Sequence, residues 1–344
     1  MSKRSNSIAP LRIGILGAAN IARQFTAAVK TGKSAEIVAV ASRNLDTAAA
    51  FAAACGVPRH YGSYEALLSD PGIDTVYIPL PNSMHAEWAI KAASSGKHVL
   101  CEKPLALSRT EAVSMFTAAR DHGVMMLEAY PYWFQPQTRD MLALLQGGAI
   151  GDVRGMQACF GFTVQNAQTN IRLKSDLGGG ALLDAGSYPL SLIRLVMGEA
   201  PSCVMAHAEW ADTNVDISMM ATLYYPGGRS AQLSCAMNAA NHRRATIMGT
   251  QGTIETEYVN HPTAEVPSQL RIRRGIANTI PFEEIHSAIG NGFFFCAEAF
   301  AKVVAERDFA AIERAAAASV DIAATLEALA KSARSGQAVV VIGA

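Results

Sequence analysis

The apolar positions fall into short runs set between longer segments of mixed character. Arg12–Leu16 is one such run; it breaks at Gly17-Ala18-Ala19-Asn20 and passes into the helix-forming stretch Ile21–Lys30. The alternation then recurs. Glu36–Ala41 precedes the alanine-rich Leu45–Ala54, Thr75–Pro79 precedes His85–Ser94, His98–Cys101 precedes Ser108–His122, and Val124–Ala129 closes the series. Continuous short apolar runs read as strands buried on both faces, and strands that alternate with helices pack as a parallel sheet between helix layers. Residues 1–130 are therefore expected to form a doubly wound α/β domain of the kind that binds nucleotides.

From about Gly151 the period changes to two. In Asp216–Tyr225 the residues Ile217, Met219, Ala221, Leu223 and Tyr225 share one face, and Pro226-Gly227-Gly228 turns the chain into Ser230–Met237. That pattern predicts an antiparallel hairpin with one buried side. Ala245–Gly249 and Thr253–Tyr258 predict a second, and Gln269–Arg274 a further strand. Helices over Ala181–Met197, Phe293–Glu306 and Glu313–Ser335 are expected to cover the inner face of this sheet. Residues 131–344 thus read as an α+β domain on a large, mostly antiparallel open sheet.

Composition narrows the partners. At 344 residues the chain is long enough for two cores. Lys+Arg and Asp+Glu both number 29, so nothing in the charge advertises nucleic acid or an anionic membrane. Met1–Pro10 is polar, with no apolar run of signal-peptide length after it, and a cytoplasmic protein is expected. The six cysteines are scattered without a Cys-x-x-Cys pair, which favours reduced thiols over a disulfide frame or a metal site.

Candidate chemistry gathers where the first-domain strands end, the edge at which open α/β sheets hold ligands. Gly17, Ala19, Asn20 and Ile21 form a small-residue turn that would let backbone N–H groups meet a pyrophosphate. The second strand ends Ala41-Ser42-Arg43-Asn44 with no carboxylate. Ser42 and Arg43 can donate to a 2′-phosphate, so NADP is preferred over NAD. Leu80, Pro81, Asn82 and His85 are expected to wall the cofactor, and Glu102 to contact its nicotinamide ribose. The apolar run His98–Cys101 ends in Glu102-Lys103-Pro104, which makes Lys103 the first candidate for chemistry.

Four stretches occur in order: the Gly17 turn, Leu80-Pro81-Asn82-Ser83-Met84-His85, Gly96-Lys97-His98-Val99-Leu100-Cys101-Glu102-Lys103-Pro104, and Gly178-Gly179-Gly180-Ala181-Leu182-Leu183-Asp184-Ala185-Gly186-Ser187-Tyr188. This set resembles the Gfo/Idh/MocA oxidoreductases, whose first domain is a Rossmann fold. Tyrosine at 188, where inositol dehydrogenases have histidine, and Asn170-Ile171-Arg172-Leu173 resemble the branch of glucose–fructose oxidoreductase, dimeric dihydrodiol dehydrogenase and NADP-dependent xylose dehydrogenase. The resemblance implies Lys103, Asp184 and Tyr188 as the catalytic set, a cis Lys103-Pro104 peptide, and a homodimer or homotetramer paired through the outer face of the second sheet, with Met220, Thr222 and Tyr224 on it.

Hydride transfer at a carbinol carbon needs a group that moves the hydroxyl proton. Free tyrosine, with a pKa of about 10, is a poor base at neutral pH, and a neighbouring ammonium favours its phenolate. Tyr188 is expected to carry the proton, with Lys103 as its electrostatic partner and Asp184 orienting a substrate hydroxyl or Lys103. Arg172, Tyr132 and Glu128 are expected to line the pocket of a sugar or polyol, and Arg172 to reach the cofactor as well. Pro189, one residue after Tyr188, cannot donate back to Ala185 and predicts a break in its helix. The expected activity is an aldose 1-dehydrogenase or keto-sugar reductase. A trans-dihydrodiol dehydrogenase and a non-enzymatic dinucleotide sensor are the alternatives.

Overall fold

A computed structural model describes residues 9–166 and 170–343; the leading polar segment read above lies mostly outside them. Six strands build the first sheet: β1 (Leu11–Leu16), β2 (Ala35–Ala41), β3 (Arg59–Tyr61), β4 (Thr75–Ile78), β5 (His98–Glu102) and β6 (Met126–Ala129). All pair in parallel, in the order β3-β2-β1-β4-β5-β6. The order reverses between β1 and β4, and such a reversal opens a crevice at the strands' carboxyl ends. β3 and the short helix Tyr64–Leu68 are additions to the predicted series. A three-residue strand with no fully buried position has too little apolar pattern to read.

The second sheet has nine strands: β7 (Val153–Thr163), β8 (Cys203–Trp210), β9 (Asp216–Tyr224), β10 (Ser230–Ala236), β11 (Asn238–Gly249), β12 (Gly252–Thr256), β13 (Leu270–Arg274), β14 (Glu283–Glu284) and β15 (Val339–Val340). Their order is β14-β13-β12-β11-β7-β10-β9-β8-β15, antiparallel except for β7 with β10. Both predicted hairpins form, β9 on β10 and β11 on β12. β8 escaped the alternation because apolar residues sit on both of its faces: Val204, Ala206 and Ala208 point inward while Met205 is exposed. The outer face of the sheet carries Met220, which is 72% exposed, beside Tyr224 and Met205.

The helices differ from expectation in two respects. Ser187–Met197 covers the inner face of the second sheet, through Leu190, Leu192 and Ile193. Gly292–Glu306 instead joins the first domain, its Phe293, Cys296, Ala297 and Phe300 packing with Ile13, Ile15 and Phe25. It pairs with the helix Asn20–Val29 because that helix needs a second apolar neighbour outside the parallel sheet. The long helix Phe309–Ser335 serves both domains. Ala316 and Ala323 lie in the first core, Ile322, Leu326 and Leu329 in the second, and Ser332 Oγ accepts from Ala206 N at 2.9 Å. None of the described helices is long and apolar enough to cross a membrane.

Candidate active site

At the turn after β1, Gly17 has φ +111° and donates its N–H to Ala41 O at 2.8 Å. A Cβ there would stand 3.0 Å from Leu80 Cδ2, so only glycine keeps this approach open. The helix Asn20–Val29 begins after Ala19 with no side-chain cap. Its first N–H groups therefore meet the crevice as donors in need of an acceptor, the arrangement a pyrophosphate satisfies. At the end of β2, Ser42 Oγ accepts from Asn44 N at 3.4 Å, Asn44 caps the following helix, and Arg43 lies on the surface with its charge near the Tyr64 phenol. These residues fit a phosphorylated dinucleotide: Gly17, Ala19, Asn20 and Ile21 would hold the pyrophosphate, Ser42 and Arg43 the adenosine end.

The third segment serves as a brace. Asn82 Nδ2 donates to Gly178 O at 2.8 Å and so ties the first domain to the glycine-rich loop of the second. His85 is buried with Nδ1 2.8 Å from Pro104 O and Nε2 2.9 Å from Leu80 O, and burial lowers its pKa. Both ring nitrogens are thereby engaged by the main chain of the two loops that flank the crevice. Glu102 is buried too. Tyr77 Oη donates to its Oε1 at 2.6 Å and Lys103 N approaches Oε2 at 3.3 Å. Glu128 Oε1 accepts from Leu105 N at 2.8 Å, just beyond the cis Lys103-Pro104 peptide. These two carboxyl groups face the peptide backbone and a phenol, not an open pocket.

Lys103 leaves the end of β5 and crosses to the second domain. Its Nζ donates to Asp184 Oδ1 at 2.8 Å and to Asp184 O at 3.1 Å. Of the three N–H bonds of an ammonium this leaves one to meet a substrate oxygen. Asp184 Oδ2 accepts from Arg172 Nε at 2.6 Å, so one carboxylate is held between two cations. Burial opposes the charge on Asp184, yet Lys103 and Arg172 together lower its pKa to about 2. Burial likewise opposes the Lys103 ammonium, and Asp184 more than restores it, raising its pKa.

The local backbone explains this meeting. Leu182–Gly186 is a π-helical turn that runs into the α-helix Ser187–Met197, the break Pro189 predicts. Pro189 stands five residues after Asp184 and has no N–H to offer its carbonyl; Lys103 Nζ takes that acceptor instead. Tyr188 follows on the same helix, 6% exposed, with Lys103 Nζ 4.9 Å from its ring centroid. Asn260 Nδ2 donates to Tyr188 Oη at 3.0 Å. Tyr132 is fully buried beside it, its Oη 2.7 Å from Ser191 Oγ and accepting from Trp133 Nε1 at 2.8 Å, so it contributes a ring to the floor while its oxygen is already partnered.

Two residues at this floor were not read from the sequence. Arg243 of β11 lays its guanidinium 4.0 Å from the Tyr188 ring centroid, and its Nη2 donates to Asn260 Oδ1 at 3.3 Å. Beside Arg244 in His242-Arg243-Arg244 it looks like any solvated basic pair. Strand alternation after Asn238 is the one signal that separates an inward Arg243 from an outward Arg244. A cavity of about 1290 Å³ opens away from this site, at the amino ends of β1 and β2, beside Phe295 and Glu298.

A doubly wound nucleotide sheet whose fifth strand delivers a lysine to an aspartate and a tyrosine on the helical segment covering a second, open sheet defines a two-domain nicotinamide-dependent oxidoreductase. Residues 11–130 match the oxidoreductase family with an NAD-binding Rossmann fold, and residues 138–255 match the Gfo/Idh/MocA C-terminal domain. The chain belongs to the Gfo/Idh/MocA oxidoreductase family. A D-xylose 1-dehydrogenase (NADP(+)) from Haloferax volcanii is 33% identical over 330 residues, 96% of this chain and 99% of the relative. A trans-1,2-dihydrobenzene-1,2-diol dehydrogenase from Xenopus tropicalis is 37% identical over 245 residues, 70% of this chain and 74% of that one. Among solved structures, KijD10, a 3-ketoreductase from Actinomadura kijaniata crystallised with NADP and TDP-benzene, is similar with a TM-score of 0.83 and 31% identity over 94% of this chain and 98% of that chain.

Proposed function

We propose that this oxidoreductase uses NADP to interconvert a carbinol and a carbonyl on a sugar or sugar derivative, with Tyr188 as the proton carrier. The observation that carries the reading is the convergence of Lys103, Asp184 and Tyr188 at the crevice beside the Gly17 turn. The bound dinucleotide supplies or accepts the hydride. In the oxidative direction the hydroxyl proton passes to the Tyr188 oxygen, and the Lys103 ammonium stabilises the negative charge shared by the phenolic and substrate oxygens. Asp184 fixes Lys103 in place and Arg172 offers the outer wall.

The Haloferax xylose dehydrogenase and the Actinomadura ketoreductase support a sugar substrate and NADP for this chain. A trans-dihydrodiol is the second reading, favoured by the ring floor of Tyr132, Tyr188, Phe160 and Tyr258 and by the Xenopus relative. The outer face of the second sheet is proposed as the contact between subunits of a homodimer or homotetramer, and the reduced cysteines suit the cytoplasm. An activity screen with NADP and NADPH over aldoses, keto sugars and vicinal diols tests the reading. Turnover with sugars supports it, turnover confined to aromatic dihydrodiols moves it to the second reading, and none with either removes both.

A further inference from the structure

The floor of the site holds a second cation beside Tyr188, one to which the reaction above assigns no substrate group. Arg243 is set among four rings, with its guanidinium carbon 4.0 Å from the Tyr188 centroid, 4.7 Å from Tyr258, 5.0 Å from Phe160 and 5.2 Å from Tyr132. Ring faces attract a cation but cannot accept the five directed N–H bonds of a guanidinium. Its Nε is buried and has no hydrogen-bond partner among the described residues. The side chains that favour its charged form most are the phenols of Tyr188, Tyr258 and Tyr132. Asp184 is already shared by Lys103 and Arg172, and His261 next to Asn260 is held neutral, with burial and then Arg243 itself lowering its pKa to about 4.

A half-buried cation with no carboxylate paired to it among the described residues gains by taking up an anion, and a guanidinium matches a carboxylate with two parallel hydrogen bonds. Asn260 links the guanidinium to the reacting centre, because its Oδ1 accepts from Arg243 while its Nδ2 donates to Tyr188 Oη. An anion on Arg243 therefore lies within one side chain's reach of the oxygen that takes the substrate's proton.

We infer that Arg243 recognises a carboxylate on the substrate, and that the preferred substrate is a sugar acid whose carboxylate lies near the oxidised carbon. A hexuronate has this geometry, since its anomeric carbon and the carbon bearing the carboxylate flank the ring oxygen. The inference rests on Tyr188 as proton carrier. In the reaction the anomeric C–H bond breaks with its electron pair passing to the oxidised nicotinamide, the anomeric hydroxyl proton passes to the Tyr188 oxygen, and the product is a lactone; the carboxylate is unchanged.

The test compares D-glucuronate and D-galacturonate with D-glucose and D-galactose, by NADP-linked turnover and by calorimetric binding to the NADP-loaded protein, in the wild type, Arg243→Gln and Arg243→Lys. The expected result is a wild-type KM at least about tenfold lower for the uronates, and a uronate KM and Kd that rise in Arg243→Gln at least about tenfold more than the hexose values do. Arg243→Lys, which keeps the charge and loses the fork, should fall between. Uronates handled no better than hexoses by the wild type overturn the inference, whatever the variants do. Equal losses for both sugars in Arg243→Gln overturn it too, and make Arg243 a support for the Tyr188 ring. Uronate that binds in an Arg243-dependent way without being oxidised upholds the anion site and removes the role of Tyr188.

Discussion

Lys103 Nζ reaches Asp184 twice, at its carboxylate and at its main-chain carbonyl, and so joins the end of the parallel sheet to the π turn of the second domain. The contact fixes an ammonium beside Tyr188 whose pKa lies above that of a free lysine. Lys103→Ala and Tyr188→Phe are each expected to lower kcat by at least about a hundredfold, the size of an acid/base contribution, with NADPH binding retained. Steady-state kinetics together with NADPH fluorescence titration check this. Near-normal turnover in either variant would remove the role assigned to that residue.

Arg43 is exposed at the end of β2, where NAD enzymes place a carboxylate, and is proposed to hold the adenosine end of the cofactor. Arg43→Ala should raise Kd for NADP about tenfold and leave NAD nearly unchanged, since one charge-assisted hydrogen bond to phosphate is lost. Ser42→Asp should go further and invert the preference, because a carboxylate repels the 2′-phosphate. Fluorescence titration with both reduced dinucleotides reads the ratio, and an unchanged ratio places the 2′-phosphate elsewhere.

Glu128 makes stability depend on pH in a direction opposite to most carboxylates. Burial raises its pKa to about 7, against the hydrogen bonds that favour its charged form. Between the ordinary glutamate value of about 4.3 and about 7, the folded protein holds a proton that the unfolded chain releases. This group's contribution to stability therefore falls as pH rises through that window and levels off above it. Its full size is up to about 3 kcal/mol. Glu128→Gln does not titrate, so the stability difference between wild type and variant should move in the variant's favour from pH 4.5 to pH 7.5, as measured by urea denaturation. A difference that stays constant across the window would show that Glu128 remains ionised in the fold.

The residues legible from sequence and those that were not differ in what decides their surroundings. β1, β2, β4, β5 and β6 are each one local apolar run, and Lys103, Asp184 and Tyr188 belong to stretches whose order along the chain is informative by itself. Arg243 depends on β11 pairing with β7, some eighty residues away in the chain, and Asn260 lies in the irregular stretch after β12, and no local pattern carries either placement. Glu102, His85 and Glu128 illustrate a third case. A polar residue at a strand end or a helix start reads the same whether it meets a ligand or hydrogen-bonds neighbouring elements, as Glu102 does Tyr77, His85 the Pro104 carbonyl and Glu128 the Leu105 N–H.

The exposed sheet face allows a separate test. Met220 and Tyr224 project outward from β9, with Met205 across the strand pair on β8. If subunits meet there, Met220→Asp buries a charge without a partner in the contact, which is expected to weaken association by at least about tenfold. Light scattering on a dilution series of wild type and variant would show it as a shift toward the 36.4 kDa monomer mass. An assembly whose mass ignores the substitution uses another surface.

Gly180 governs how Asp184 is presented. It has φ +117°, and a Cβ on it would stand 2.3 Å from Asp216 Oδ1, whose neighbour Oδ2 accepts from Leu182 N at 2.6 Å. Asp216 is thus the anchor that starts the π turn, and it needs a residue without a side chain against it. Gly180→Ala combines an unfavourable backbone angle with a displaced anchor, at a cost of about 1–3 kcal/mol. Because the turn carries Asp184 and so positions Lys103, the variant should lose turnover well beyond its loss of stability, while NADPH affinity, proposed to be set at the Gly17 turn, stays near normal. Thermal unfolding, kinetics and titration separate the three. A variant that is destabilised yet turns over normally would show that the π turn holds Asp184 without help from Asp216.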